Sequence, residues 1–535
     1  MRSPGYRLRM NALARVAVAG LLLVAGCATD SSEPAPTAAP TTQADTPPPL
    51  VPAMPLPENA VNNAVAELDG IAEDLMSKSG IPGMAVAVVH GGKTVYAKGF
   101  GVRDVKSGEK VDADTVFQLA SVSKSLAATV VAHQVGVNAV RWDTPIVSEL
   151  PWFALSDPFV TRMVSVGDMM SHRSGLPDHA GDVLEDLGYD RRQVLDRLRQ
   201  LPLDPFRISY AYTNFGFTAG AEAVAVDAGK PWDVLADDVL FDPLGMAATS
   251  YRFTDYEAQT NRAVGHIHID GRYEPSYVRD ADAEAPAGGA SSSVNDMTRW
   301  LAMVLANGNH DGKQVVDADA LLPAVTPQVV SSPASEPAMR SGFYGFGFNV
   351  SASSAARMEI SHSGAFELGA ATNFLILPSA DVAIVALTNA TPSGVPETLT
   401  AQFADLVQFG EVREDWYGLY SAAFADMDKP VGSLVGKQPP ANAAPPGPLA
   451  SYTGSYDNDY WGPARVTERD GRLRLALGSK LDVPLTHWSG DTFTFELITE
   501  NAPPGTVSTA VFDSVDGNKL TLEYYDTFKK GTFVK

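Results

Sequence analysis

The stretch Phe117-Gln-Leu-Ala-Ser-Val-Ser-Lys-Ser-Leu-Ala-Ala-Thr-Val-Val131 carries the strongest indication of fold and chemistry in this chain. Its pattern changes from an apolar run to helical spacing, which puts Ser121 and Lys124 in the first turn of a helix. Residues three apart on a helix lie on one face, so these two side chains can touch. A serine hydroxyl is a poor nucleophile until a base takes its proton. The spacing therefore indicates a nucleophile beside a proton acceptor, although a capped, solvated helix start would contain the same residues.

Two downstream segments contain further residues of the kind that an active site needs. In Tyr210-Ala-Tyr-Thr-Asn-Phe-Gly216, Tyr212 and Asn214 lie on the same side of a predicted extended loop. In Glu359-Ile-Ser-His-Ser-Gly-Ala365, His362 and Gly364 lie on a predicted strand. Taken singly, Tyr212 is an ordinary core tyrosine and His362 a structural strand histidine. The catalytic interpretation depends on the three segments occurring together and in this order.

Ser-x-x-Lys, Tyr-x-Asn and His-x-Gly, at these separations, resemble the motifs of the penicillin-binding protein and class C β-lactamase serine hydrolases. The resemblance runs from about residue 60 to about residue 410. It implies an α+β fold, in which an antiparallel sheet is flanked by helices and accompanied by a helical subdomain. The segment beyond it resembles the lipocalin-like domain that follows the catalytic domain in some of these hydrolases. Supporting segments are Leu119–Lys124, Ser171–Pro177, Pro243–Met246, Gly288-Gly289 and Leu387–Asn389.

The resemblance assigns a role to each motif residue. Ser121 is the expected nucleophile, which forms an acyl-enzyme. Lys124 and Tyr212 are expected to share the work of the base, and the choice between them stays open because their titrations are coupled. Asn214 is expected to orient Lys124 and the substrate amide. The resemblance implies neither a metal nor another cofactor.

The third motif supplies the expected oxyanion hole. The backbone N–H groups of Ser121 and Ala365 would bind the oxyanion, and Gly364 would let the substrate lie against the strand. His362 stands where the β-lactamase pattern has a lysine. An imidazole is mostly neutral at pH 7, so the pocket is expected to hold a substrate carboxylate less strongly. This difference lowers the expectation of true β-lactamase activity.

The order of predicted elements describes two folded domains. Strands at 84–90, 94–100, 344–350, 357–362 and 371–387 enclose a mostly helical region, which predicts one antiparallel sheet built from both ends of a catalytic domain at 58–430. Residues 431–449, rich in proline, predict a linker. Residues 450–535 contain short alternating strands and predict a small all-β barrel. Within it, Trp488 on a predicted turn is a candidate cap for the active site, or alternatively a residue of the barrel core.

The N-terminus has the features of a bacterial lipoprotein signal. A basic stretch precedes the apolar segment 16–26, which ends in Leu23-Val-Ala-Gly-Cys27 and resembles a lipobox. Residues 1–27 are therefore expected to be a signal peptide with lipidation at Cys27, although an ordinary signal peptide cut nearby is the alternative. Residues 28–57 predict a disordered Pro/Thr/Ala tether. The expected location is the periplasmic face of an outer membrane, or anchorage at the cell surface.

Composition narrows the classes of partner. The chain of 535 residues carries 40 basic and 63 acidic residues, a net charge of −23 that disfavours nucleic acid. Cys27 is the single cysteine, which excludes an intrachain disulfide and a Cys-ligated metal.

The expected function is hydrolysis of small amide or peptide substrates, among them peptides that contain D-amino acids. The alternatives are an esterase, a β-lactamase, or a slow-turnover sensor of β-lactams or cell-wall fragments; the sequence leaves the oligomeric state open.

Overall fold

The computed structural model describes residues 47–513 and 518–535, and Cys27 with the predicted signal peptide lies outside them. The catalytic domain is built on an eight-stranded antiparallel sheet in the order β2-β1-β14-β13-β12-β11-β10-β9. Its strands come from the two ends of the domain, as predicted. They are β1 (Gly83–His90), β2 (Lys93–Gly101), β9 (Val329–Ser332), β10 (Gly342–Tyr344), β11 (Asn349–Ala352), β12 (Met358–Phe366), β13 (Ala370–Leu377) and β14 (Val382–Thr388).

Helices cover both faces of this sheet, which explains why β1 is apolar at nearly every position. Met84 and Val86 pack on one face against two helices, α1 (Ala60–Ser79) and α14 (Val395–Phe409). Ala85 and Ala87 point to the other face, where α2 (Ser123–Gly136) and α12 (Val294–Leu305) lie. A strand buried on both sides has no polar alternation, because neither face meets water.

The helical region lies between β2 and β9. It brings α2 and α8 (Asn214–Asp227) into contact and thereby assembles the residues discussed below. Its other helices are α3 (Ile146–Glu149), α4 (Pro158–Met163), α5 (Val166–Met170), α6 (Asp182–Asp186), α7 (Arg191–Arg197), α9 (Trp232–Ala236), α10 (Asp242–Leu244), α11 (Phe253–Ala258) and α13 (Ala318–Leu321). The same region contains three two-stranded ladders: β3 (Phe117–Gln118) with β6 (Ser291–Ser292), β4 (Ile267–Ile269) with β5 (Arg272–Glu274), and β7 (Asn309–His310) with β8 (Lys313–Gln314).

After α15 (Trp416–Phe424) and α16 (Leu449–Tyr452), the chain forms a second eight-stranded antiparallel sheet that curls into a nearly closed barrel. Asp457 and Val534 exchange backbone hydrogen bonds of 2.7 and 3.0 Å, which join the first strand region to the last. The barrel prediction is thus confirmed. The strands are β15 (Gly454–Tyr456), β16 (Ala464–Arg469), β17 (Arg472–Leu477), β18 (Leu481–Ser489), β19 (Thr492–Thr499), β20 (Ala502–Phe512), β21 (Lys519–Leu522) and β22 (Thr532–Val534).

Three details differ from the expectations. The strand expected at 371–387 is two strands, because a 3₁₀ turn at Pro378–Ala380 reverses the chain. The end of the predicted disordered tether, from residue 47 onward, packs on the catalytic domain: the Ala53 N–H donates to the Ala355 carbonyl at 2.9 Å. The linker is also held, since Val431 and Val507 share a backbone hydrogen bond of 2.9 Å. None of the helices in residues 47–513 and 518–535 combines the length and the hydropathy of a membrane-spanning segment.

Candidate active site

Ser121 lies in a 3₁₀ turn, Ala120–Val122, that leads directly into α2. The preceding Ala120 has φ of 46°, a left-handed conformation that L-residues adopt at a cost. Two bonds hold the first turn of α2 behind it: Ser123 Oγ accepts the Ala290 N–H at 2.9 Å, and the Tyr251 hydroxyl donates to the Ser123 carbonyl at 2.7 Å. The hydroxyl of Ser121 is therefore presented from a constrained turn at the start of a helix.

Lys124 is fully buried, and its amine contacts three oxygens. Nζ lies 3.0 Å from Ser121 Oγ, 2.7 Å from Asn214 Oδ1 and 2.9 Å from the Ala287 carbonyl oxygen. The amide and carbonyl oxygens can only accept hydrogen bonds. A neutral amine has two hydrogens, which these two oxygens take, so its lone pair is left facing Ser121. The geometry thus suits proton transfer from the serine hydroxyl to Lys124.

Electrostatics separates the two candidate bases. Burial lowers the pKa of Lys124 to about 7, and the charges of Glu284 and Asp182 oppose this shift. Burial raises the pKa of Tyr212 well above its ordinary value, and a hydrogen bond with Ser121 opposes that shift only in part. The Lys124 amine lies 4.6 Å from the centre of the Tyr212 ring. At neutral pH a neutral amine is therefore accessible, whereas the phenol keeps its proton.

Asn214 begins α8, and its amide is bonded at both ends. Oδ1 accepts from Lys124, while Nδ2 donates to Asp182 Oδ2 at 2.9 Å. The same carboxylate oxygen lies 2.6 Å from Nδ1 of His179. The amide nitrogen of Asn214 carries a second hydrogen, which can bind a substrate carbonyl.

The strand β12 lies directly against the Ser121 turn. A Cβ placed on Gly364 would come within 2.2 Å of the Leu119 carbonyl oxygen, 2.3 Å of Thr372 Oγ1 and 3.1 Å of the Ser121 nitrogen. Only glycine fits there, because any side chain would separate β12 from the Ser121 turn, and the expected contact of Gly364 with the substrate stays a prediction. The next residue, Ala365, is half-buried and pairs with Ala371 of β13.

His362 shares the Gly364 face of β12 but does not act as a cation. Its Nε2 lies 2.8 Å from the Tyr344 hydroxyl and its Nδ1 lies 2.7 Å from the Ser363 carbonyl oxygen. Burial, together with the charge of Lys124, lowers the pKa of His362 to about 3. The imidazole is neutral throughout the physiological range, so it offers a substrate carboxylate no positive charge.

The barrel reaches the same region through the turn between β19 and β20. Glu500 at this turn accepts the Glu367 N–H at 2.9 Å and lies 3.6 Å from Arg279 Nε. Arg279 is buried and also pairs with Glu185 and Glu284, each at 2.7 Å. Glu367 directly follows the end of β12. The barrel therefore contacts the end of the strand that carries His362 and Gly364.

A second contact holds this turn in place. Asp186 Oδ2 accepts from Thr499 Oγ1 at 2.7 Å and from Asn501 Nδ2 at 2.9 Å. Trp488, the candidate cap, stands instead beside the turn at 489–491, which bonds the linker through Ala444. The contact with the end of β12 thus comes from the turn at 499–501, and a cap at Trp488 stays a prediction.

The structure brings together all the predicted residues of the three motifs, while Cys27 lies outside the described residues. Asp182, His179 and Glu284 were not predicted as site residues. The first two follow the segment Ser171–Pro177, which supported the family resemblance without a role for its neighbours. Over residues 47–513 and 518–535, no three His, Cys, Asp or Glu side chains are grouped as metal ligands would be.

Comparisons with known proteins agree with this geometry. The model of the family described as Beta-lactamase matches residues 68–409, and a domain of unknown function, DUF3471, matches residues 438–530. The Unguisins hydrolase ungD of Aspergillus violaceofuscus is 27% identical over 480 residues, covering 82% of this chain and 84% of that protein. Penicillin-binding protein 4 of Amycolatopsis lactamdurans is 31% identical over 252 residues, covering 46% of this chain and 65% of that protein.

A solved structure shares the fold. The octameric penicillin-binding protein homologue from Pyrococcus abyssi superposes with a TM-score of 0.56 at 18% identity, covering 88% of this chain and 100% of the other. The family model alone spans more than half of the chain and includes all three motifs. The chain belongs to the β-lactamase family, whose members include penicillin-binding proteins and related serine hydrolases.

Proposed function

We propose that this protein hydrolyses small amide or peptide substrates through an acyl-enzyme on Ser121, with Lys124 as the base. The supporting observation is the bonding of the Lys124 amine: two acceptor oxygens, on Asn214 and Ala287, take its hydrogens, and Ser121 lies at the remaining position. The pKa of about 7 makes a neutral amine available at physiological pH.

In the first half of the proposed reaction, Ser121 Oγ attacks the substrate carbonyl and its proton passes to Lys124. The N–H groups of Ser121 and Ala365 bind the oxyanion of the tetrahedral intermediate. The C–N bond then breaks, and the protonated Lys124 returns a proton to the leaving amine. In the second half, water attacks the acyl carbonyl, a proton passes to Lys124, and the product acid leaves as Ser121 is reprotonated.

The neutral His362 supports a preference among substrate classes. Carboxypeptidase substrates and β-lactams present a carboxylate beyond the scissile bond, and a buried uncharged imidazole gives that group no ionic partner. Substrates whose leaving group is uncharged fit this surface better. Peptides or amides without a free carboxylate at that position are therefore the proposed class, and esters are the second candidate.

The test is a panel of D- and L-amino-acid p-nitroanilides, short p-nitrophenyl esters and nitrocefin, measured on the wild type and on S121A. We expect turnover of anilides or esters that exceeds that of nitrocefin and is lost in S121A. A stoichiometric burst with nitrocefin and no turnover of any substrate would support the sensor alternative instead. Labelling by a fluorophosphonate at a position other than Ser121 would refute the mechanism.

We also propose that the enzyme is exported and anchored by a lipid on Cys27, at the outer membrane or cell surface. The supporting observation is the lipobox-like end of the apolar N-terminal segment. Metabolic labelling with an alkynyl fatty acid tests this: the wild type should incorporate label and C27S should not. Equal labelling of both would refute the anchor.

A further inference from the structure

The amide of Asn214 stands between Lys124 and a buried carboxylate that the catalytic mechanism does not use. Asp182 opens helix α6 and is almost completely buried. Its Oδ2 accepts one hydrogen bond from the Asn214 amide at 2.9 Å and another from the His179 ring at 2.6 Å. Because a carboxylate can only accept, Nδ1 of His179 must be the donor in its bond.

A carboxamide can present either its oxygen or its nitrogen to a neighbour, and here the carboxylate selects between them. In the observed orientation the nitrogen of Asn214 faces Asp182 and the oxygen faces Lys124. The reversed orientation would place two acceptor oxygens against each other at Asp182. It would also direct an N–H group at the lone pair of Lys124, which would then be unavailable to Ser121.

The carboxylate is itself fixed by its surroundings. The backbone N–H of His179 donates to the Tyr212 carbonyl at 2.8 Å, which ties the loop before α6 to the segment that carries Asn214. The His179 ring also lies 5.8 Å from the Tyr212 ring. Hydrogen bonds of the side chains and of the backbone together thus fix the distance between Asp182 and Asn214.

We propose that Asp182, held by His179, is a positioning residue that keeps the oxygen of Asn214 toward Lys124 and so leaves the amine lone pair free for Ser121. The inference rests on the proposed function, because it concerns the rate at which Ser121 is acylated. Asp182 touches neither the substrate nor the reacting atoms. It acts through Asn214, as outer partners do when they orient the groups that react.

The experiment measures the rate of Ser121 acylation by a fluorophosphonate probe from pH 5 to pH 9, using the full chain. D182A should lower the maximal rate by about 10- to 100-fold, the scale expected when a catalytic group is misplaced. D182N should lose less, because its carboxamide oxygen can still accept from Asn214. Turnover of the best substrate should show a lower kcat with a smaller change in KM.

The pH profile distinguishes positioning from general damage. The charge of Asp182 raises the pKa of Lys124. D182A and D182N should therefore both move the acidic limb of the pH–rate profile for acylation to lower pH. A fold weakened without this contact would lower the rate and leave the limb in place. The other titratable side chains that face Lys124 are Glu284, Tyr212, His172, His179 and His362.

Asp186 supplies a matched control on the same helix. Its half-buried carboxylate bonds the barrel rather than Asn214, so D186N should leave the acidic limb of the pH–rate profile unshifted. Thermal unfolding of each variant confirms that it is folded at the assay temperature. H179N tests the supporting bond and should fall between the wild type and D182A in rate.

The possible failures are distinguishable. If the wild type is not labelled at Ser121, the proposed function fails and the inference falls with it. If the wild type is labelled and D182A reacts at the same rate with the same pH limb, the inference alone is wrong. An equal shift in D186N would also refute it, because the effect would then belong to any carboxylate of α6.

Discussion

The amine of Lys124 has the two properties that a base needs, a lowered pKa and a short distance to the nucleophile. Because only the neutral amine accepts a proton, activity should be present above the pKa of Lys124 and lost as the pH falls through it. We expect kcat/KM to decrease about tenfold per pH unit below about pH 7. The pH dependence of kcat/KM for the best substrate measures this.

The same residue can be tested by substitution. K124M should lower kcat/KM by about 10²- to 10⁴-fold, the usual contribution of a general base. K78M, at an exposed lysine paired with Asp74, serves as the control and should keep wild-type activity. If the pH profile of kcat/KM stays flat to pH 5, or if K124M is active, then a group other than Lys124 is the base.

A second substitution tests Gly364, because the lack of a side chain there lets β12 approach the Ser121 turn closely. G364A would drive a methyl group to within 2.2 Å of the Leu119 carbonyl, so strand and turn must separate. We expect a loss of about 1–3 kcal/mol in unfolding free energy and a larger proportional loss of activity.

The matched substitution is G70A in α1, where a Cβ meets no atom within 4 Å. There alanine should stabilise the helix by about 0.5–1 kcal/mol and leave activity unchanged. Urea unfolding and esterase or amidase assays on both variants make the comparison. Full activity in G364A would mean that catalysis does not need the close approach of β12 to the Ser121 turn.

Helix α2 depends on bonds from distant elements to begin at the right place. The Tyr251 hydroxyl is fully buried and donates to the Ser123 carbonyl at 2.7 Å. Y251F would leave that carbonyl with one partner fewer, and we expect about 1–2 kcal/mol lower stability in urea unfolding, together with slower Ser121 acylation. Y96F removes a hydroxyl that bonds an exposed carboxylate, Asp69, and should cost less. Equal losses in the two variants would contradict this account.

The elements best predicted from sequence are those with a local signal. Val61, Leu68 and Leu75 have the apolar spacing of a helix and lie in α1, and the continuous apolar run at 84–90 forms β1 as predicted. The motif around Ser121 was likewise identifiable because its two residues are three apart. The 3₁₀ turn that divides β13 from β14 was missed, since both flanking strands are apolar and the turn is only three residues long.

The supporting residues of the site had no such signal. Asp182 is one of 63 acidic residues, and it reaches Asn214 across 32 positions from a helix of five residues. Glu500 reaches Glu367 across 133 positions. Such contacts are determined by how the domains pack, and no periodicity or spacing in the chain encodes them.

The two domains are joined by charge as well as by backbone bonds. Glu500 accepts from the backbone after β12 and adds a third carboxylate to the buried Arg279. E500A should weaken docking by about 1–3 kcal/mol, because an N–H group loses its acceptor while Arg279 keeps Glu185 and Glu284. We expect a lower unfolding temperature and faster proteolysis within residues 431–449.

Activity supplies the second readout for this contact. If the turn limits the space at the end of β12, E500A should accept larger acyl groups than the wild type. E496A, at an exposed position of β19, the strand that precedes this turn, is the control for both measurements. Unchanged stability together with unchanged substrate range in E500A would show that the turn neither docks the barrel nor bounds the site.

Helix α6 is a single turn long, yet it forms hydrogen bonds with both the active site and the barrel. Asp182 at its first residue bonds the amide of Asn214, and Asp186 at its last residue bonds the barrel turn. Replacement of the barrel by that of a relative should therefore change catalytic efficiency. A chimaera that lacks partners for Asp186 would free one end of this helix, and catalytic efficiency would then depend on a junction far from any substrate atom.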